Sequence, residues 1–335
     1  MHIPDNYLGP ATCAVMAMAA APALIVSAKR VARRLPKEKI PLLGIGAAFS
    51  FLIMMLNVPV PGGTTAHAVG GTLLAVLLGP YAACLSISTA LLIQALMFGD
   101  GGILAFGANT FNMAVVIPFV GYFIYKLVKD RVHSKRSEYI GLAIAAYVAI
   151  NAAALCAAIE FGLQPILAKD AAGVPLYCPY PLAVSIPAML IPHLAVAGLV
   201  EAAFTVAIFA FVERTSPGTV YAGSSAKLKP LYALLAVLVL ASPLGLLAAG
   251  TAWGEWGSDE IRNVVNGGSA LGFTPAGMAR GLRFAAPLKD YAVKGAPEIL
   301  GYALSALIGV AAIVIAFKLL ALLKKDKGGP SRAEV

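Results

Sequence analysis

The most specific chemistry in the chain lies in its opening residues, Met1-His2-Ile3-Pro4-Asp5. A free terminal amine, the backbone nitrogen of residue 2 and Nδ1 of His2 close fused five- and six-membered chelate rings on one metal ion, placing three nitrogens in a plane. One position stays vacant, and His67 is the candidate for the fourth nitrogen, in Pro61-Gly62-Gly63-Thr64-Thr65-Ala66-His67. Four planar nitrogens suit Ni(II) or Cu(II) better than zinc, which favours tetrahedral sites, or magnesium, which favours oxygen. Displacing the amide proton brings a dication site down to a net charge of about +1, which eases its burial and makes affinity fall with pH. The competing reading leaves His2 as a polar residue on an exposed terminus and His67 as a hydrogen-bonded histidine opening a short helix, with Thr65 its N-cap. Gly62 and Gly63 then either make the turn or let the N-terminal segment approach closely. The first lysine, Lys29, follows the first apolar run, unlike the charge order of a secretory signal, so the N-terminus is expected to be retained.

Further polar groups stand inside apolar runs. Asn109 and Asn112, three apart in Gly107-Ala108-Asn109-Thr110-Phe111-Asn112-Met113, share a helix face and are expected to bond backbone or another helix rather than a metal. His193 and Glu201 lie eight residues apart on roughly one face; intramembrane ionisable residues are functional candidates, coupled to each other or to a partner. Ala14, Ala17 and Ala21 give the first run a small-residue face that suits either docking of another membrane subunit or packing within the chain. Met54-Met55 reads as packing rather than a copper site. Cys13, Cys84, Cys156 and Cys178 have no CxxC spacing, so neither a zinc site nor a disulfide framework follows, although Cys156 and Cys178 are placed to pair across one outer loop.

The elements that position these groups follow from composition. Hydrophobic residues make up 60% of the 335 and charged residues 12%, which excludes a soluble fold and indicates a polytopic all-α membrane bundle. Nine apolar spans are expected, at 11–28, 40–57, 64–78, 80–98, 103–128, 139–161, 184–212, 230–249 and 297–323, the third being the shortest. Alternate connections hold nineteen of the twenty-five Lys and Arg, so the net charge of +9 reports topology, not nucleic acid. This positive-inside pattern puts the N-terminus outside and the C-terminus in the cytoplasm. A polar linker near 213–229 divides the chain into a seven-helix unit, 1–215, and a two-helix hairpin, 230–325, with a long extracytoplasmic loop at 250–296. The phosphate-loop pattern GxxxxGK[ST] is absent from the 335 residues, so ATP hydrolysis is not expected here, and HExxH is absent too.

With those residues in hand, Met1-His2-Ile3-Pro4-Asp5-Asn6-Tyr7-Leu8 resembles the amino-terminal signature of the nickel/cobalt substrate-binding (S) components of energy-coupling factor transporters, the NikM and CbiM families. The stretch around His67, Gly107 to Met113, and His193 to Glu201 resemble that family as well, so the likeness covers about 1–212. Ser242-Pro243-Leu244-Gly245-Leu246-Leu247 and Thr251-Ala252-Trp253-Gly254-Glu255-Trp256-Gly257 are similar to the fused N-type, PDGLE-like extension, without a literal PDGLE. Asn6 stands where the family has Gly, and Asn tolerates the positive φ of such a turn. The resemblance implies a prokaryotic inner-membrane metal-binding subunit, not an enzyme, that captures Ni2+ or Co2+ as transported substrate through Met1, His2 and His67. Gly63, Thr65, Asn109, Asn112, His193 and Glu201 are its candidate supporting residues. It implies a T component of NikQ or CbiQ type and ATPases of NikO or CbiO type as partners, Ala14, Ala17 and Ala21 as docking candidates, and no organic cofactor. The alternative from another class is a self-sufficient divalent-metal permease or channel.

Overall fold

The computed structural model describes residues 1–35, 39–60, 64–131, 134–219, 226–248, 250–266 and 269–323. Gly63 lies outside them. Seven helices among these residues are long and apolar enough to cross a membrane: α1 (Pro10–Arg34), α4 (Pro80–Phe98), α5 (Phe106–Lys129), α6 (Lys135–Leu167), α7 (Leu182–Thr215), α8 (Leu228–Leu247) and α9 (Glu298–Leu323). The chain is a multi-pass helical membrane protein.

Two of the nine expected spans take another form. α2 (Ile40–Met54) has 15 residues, a length of roughly 22 Å at 1.5 Å per residue, short of the ~30 Å hydrocarbon layer. The run at 64–78 is not a helical span: β1 (Val58–Val60) pairs antiparallel with β2 (Thr64–Ala66), and only α3 (Gly71–Leu78) is helical. β-Branched Val58, Val60, Thr64 and Thr65 favour the extended backbone, and Thr65 faces Pro59 in the pair. The helix N-cap is therefore Gly70, not Thr65. A hairpin lowered between two short helices is the device that carries His67 inward.

Burial explains the packing around it. α2 is apolar on every side, and all its residues but Pro41 are buried. It is enclosed by α4 and by both helices of the C-terminal hairpin, α8 and α9, and the Tyr302 hydroxyl of α9 donates to Met55 O at its end. The two parts of the chain thus share one core.

Three helices contain π-helical turns: Gln94–Phe98 in α4, Thr110–Val116 in α5 and His193–Ala197 in α7. Such wide turns re-aim side chains and recur at functional sites. In α7 the cause is local, since Pro192 has no N–H for the regular ladder. α1 is the most peripheral long helix; Ala14 and Ala17 are exposed and Ala21 is half-buried. A Cβ on Gly107 would stand 2.5 Å from Ala17 Cα, so the alanine face packs at least in part within the chain. All four cysteines are free, Cys156 and Cys178 included.

Candidate metal centre

The N-terminal segment is held in the protein as an extended peptide ligand would be. Asn109 of α5 accepts from Ile3 N through Oδ1 (2.8 Å) and donates through Nδ2 to Ile3 O (3.0 Å). Gly102 N donates to the same carbonyl (2.7 Å), and Asp5 Oδ1 accepts from Leu104 N (2.8 Å). Gly102 is required there, because a Cβ would lie 2.5 Å from Asp5 N. Asn6 adopts φ 65° and exchanges two hydrogen bonds of 2.8 Å with Leu282 of the 250–296 loop. Gln164 Oε1 accepts from Gly9 N (2.9 Å). Every backbone polar group tied this way fixes where Met1 and His2 must sit.

Both residues are buried, His2 to 2% exposure, which removes the exposed-terminus reading. The Met1 amine lies 3.4 Å from His67 Nε2, and the His2 and His67 rings are 5.0 Å apart between centroids. His67 Nδ1 stands 3.1 Å from Ala68 O; a carbonyl only accepts, so Nδ1 carries the proton and Nε2 is the basic nitrogen facing the amine. Neither ring nitrogen of His2 has a hydrogen-bond partner, the Asp100 carboxylate standing 3.5 Å from Nδ1. Burial, and then the positive terminus, push the His2 imidazole down to about 4, against an opposing pull from Glu255. The same two causes, in the same order, hold His67 well below the usual histidine range. Both rings are neutral at pH 7 with lone pairs available.

A residue absent from the sequence-based ligand set completes the arrangement. Glu255 Oε1 accepts from the Met1 ammonium at 2.6 Å and from His2 N at 2.8 Å, so the two backbone nitrogens already aim at one point. Glu255 is carried by the turn Trp253-Gly254-Glu255-Trp256, whose indoles pack on Tyr180 at 5.5 and 6.0 Å; Trp253 also meets Phe161 at 6.0 Å. Gly254, at φ 83°, admits the turn where a Cβ would meet Phe161 at 2.7 Å. Tyr291 of the same loop, itself at φ 59°, donates to Asp100 Oδ2 (2.5 Å), and Gln94 Nε2 donates to both. Burial raises the Asp100 carboxyl, and the Tyr291 hydrogen bond opposes that rise.

The expected supporting residues divide by what they touch. Glu201 does not meet His193; its carboxylate accepts from Val69 N (2.7 Å) and Gly70 N (3.0 Å), anchoring the segment after His67 to α7. His193 Nδ1 lies 2.7 Å from Met189 O. Asn112 donates to Glu160 Oε2 of α6 (3.1 Å). Thr65 is buried in β2 beside Met1. Glu255, Asp100, Glu160 and Gln164 went unpredicted because each has a partner 48 to 254 residues away in sequence, some of them backbone atoms. The acidic residue in the Trp-Gly-Glu-Trp run was the one available signal.

The sequence model of the family described as "Cobalt uptake substrate-specific transmembrane region" matches residues 2–219, and that of the "PDGLE domain" matches 228–326. The chain belongs to the NikM/CbiM–NikN fusion family. It is similar to a "Probable fused nickel transport protein LarMN" of Lactiplantibacillus plantarum, 54% identical over 92% of this chain and 94% of that one. It is also similar to the "Fused nickel transport protein NikMN" of Rhodobacter capsulatus, 49% identical over 94% and 95%. A crystal structure described as a truncated transition metal transporter superposes with a TM-score of 0.60 at 56% identity, covering 64% of this family member and 99% of that chain.

Proposed function

We propose that this protein is the substrate-binding subunit of an ATP-driven nickel uptake transporter of the energy-coupling factor type, with cobalt the second candidate ion. The reading rests on one observation: the Met1 amine and the His2 amide nitrogen aim at a common point, beside the free lone pairs of His2 and His67. Loss of one ammonium proton and the amide proton turns that arrangement into four nitrogen donors, a set suited to Ni(II). The chemistry requires an unblocked, unextended Met1. The names of the fused relatives favour nickel over cobalt.

In this reading residues 1–215 hold the ion and 230–325 form the N-type unit that closes over it. The lysine and arginine distribution sets Met1 outside and the C-terminus in the cytoplasm of a prokaryotic inner membrane. With no phosphate-binding loop in the 335 residues, ATP hydrolysis falls to separate ATPases of NikO or CbiO type, coupled through a T component of NikQ or CbiQ type. The exposed Ala14 side of α1 is the docking candidate. No organic cofactor enters this reading.

The test is Ni2+ binding to detergent-purified protein by calorimetry and d–d absorption, comparing native Met1 with a chain bearing one extra residue before it. A planar-type band lost on extension supports the chelate; unchanged binding removes the amine from the site. Metal uptake by proteoliposomes holding this chain alone, without ATPase, sinks the subunit reading in favour of a permease.

A further inference from the structure

The α7 histidine has a nitrogen that nothing in the chelate uses. His193 is 6% exposed, and its Nδ1 is committed to Met189 O, an acceptor, so Nδ1 carries the hydrogen and Nε2 keeps its lone pair. Nε2 is buried without a hydrogen-bond partner. The residue lines a small cavity of about 10 Å³, room for a single water-sized sphere, together with Met1, Thr64, Thr65, Ala252 and Trp253. Met1 and His193 form its buried wall, and half-buried Thr64 and Trp253 its outer one. The outer wall is a seam between the two parts of the chain, where Thr64 Oγ1 donates to Thr251 O at 3.2 Å.

A bare lone pair beside the chelate has a kinetic consequence. The Met1 ammonium and the His2 amide still hold the protons they donate to Glu255, so neither nitrogen can bind an ion until a proton leaves. An imidazole nitrogen without a proton binds a borderline divalent ion at once. The cavity accepts a bare ion or one water but not a hydrated ion, so an entering ion exchanges water for protein donors at this point.

Resting on the terminal chelate proposed above, we infer that His193 Nε2 is a transit ligand, which takes the divalent ion at the seam and passes it to Met1, His2 and His67. The His193 Nε2–metal bond breaks as the bond to the Met1 amine forms. The two displaced protons, one from the ammonium and one from the amide, leave to solvent. The metal keeps its oxidation state.

The experiment is rapid mixing of Ni2+ with the full-length protein in detergent, followed by growth of the d–d band. Wild type shows a fast phase proportional to Ni2+ and a slower, concentration-independent transfer. His193→Asn keeps an amide donor for Met189 O and removes Nε2; it loses the fast phase and loads, and releases, at least about 10-fold more slowly. The final band and Kd stay those of wild type, because a ligand released before the end state contributes to neither. Ala188→Val, which narrows the same cavity and leaves the histidine in place, slows the fast phase too and decides the matter where the Asn variant fails to fold. Single-phase loading of wild type, or wild-type rates in both variants, overturns the inference and leaves Nε2 facing a buried water. A shifted final band in His193→Asn overturns it differently, by placing His193 in the final coordination sphere. Failure of wild type to bind Ni2+ at all defeats the chelate, and the transit role with it; loss of the fast phase alone leaves the chelate standing.

Discussion

At the residue scale, the terminus is a charged group held under cover by one carboxylate. Glu255→Gln leaves the buried Met1 ammonium without its counter-charge, and Glu255 is only 19% exposed, so the metal-free protein loses about 1–3 kcal/mol, read as a lower Tm in detergent. His2 gives a pH signature of definite sign. Its folded value, about 4, lies below the 6.5 of the unfolded chain, so the unfolded state takes up the proton first as pH falls. His2 contributes nothing to the pH dependence of the metal-free protein above pH 6.5 and on the order of 3 kcal/mol of lost stability on descent to pH 4, a share that His2→Asn removes from a Tm-against-pH series while the His67 share remains. Asn109 serves the backbone of Ile3 in both directions. Asn109→Leu removes both bonds and lowers Ni2+ affinity about 10- to 100-fold by calorimetry, while helix content stays the same.

At the scale of elements, the site depends on irregular pieces set among long helices. The hairpin and the short α3 leave the Val69 and Gly70 N–H groups inside the fold, and Glu201 of α7 satisfies both. Glu201→Gln turns one of the two accepting oxygens into a donor, so Val69 N and Gly70 N must share the remaining oxygen, Gly70 N keeps only one of its two bonds, of 3.0 and 3.1 Å, and it faces a second donor. The His67 segment loosens, and Ni2+ affinity drops about 10-fold in competition with a chromophoric chelator. Reading 64–78 as a span overlooked the β-branched residues on both sides of the glycines, whereas the long runs of α1, α4, α5, α6, α7, α8 and α9 were legible because a membrane imposes one length and one backbone pairing on them. The π turns were not legible: only the one in α7 has a mark in the sequence, Pro192 just before it.

At the scale of the whole molecule, the two parts are joined at the site itself. The loop between α8 and α9 supplies Glu255, Tyr291 and the Leu282 backbone to groups of the first unit. Ending the chain after Thr219 removes Glu255 and Leu282 while Asn109, Gly102 and Gln164 still tie the segment, so the uncovered Met1 amine reacts with an amine-directed reagent many times faster than in the full chain, as read by mass spectrometry. Ala14→Leu is the clean test of α1 docking, because Ala17 already touches Gly107 within the chain; loss of a co-purified T component is the expected result, and unchanged assembly removes that face from the interface. The sequence by itself determined the membrane, the long helices, the positive φ tolerated at Asn6 and the donor types at positions 1, 2 and 67, because composition, run length and chelate-ring size are local properties. Only the tertiary structure decided that His2 is buried beside His67, that Glu201 serves a loop rather than His193, and that Glu255 closes over the terminus. Those contacts join residues 65 to 254 positions apart, and backbone N–H groups that every residue but proline shares leave no mark in the sequence of the side chain that will find them.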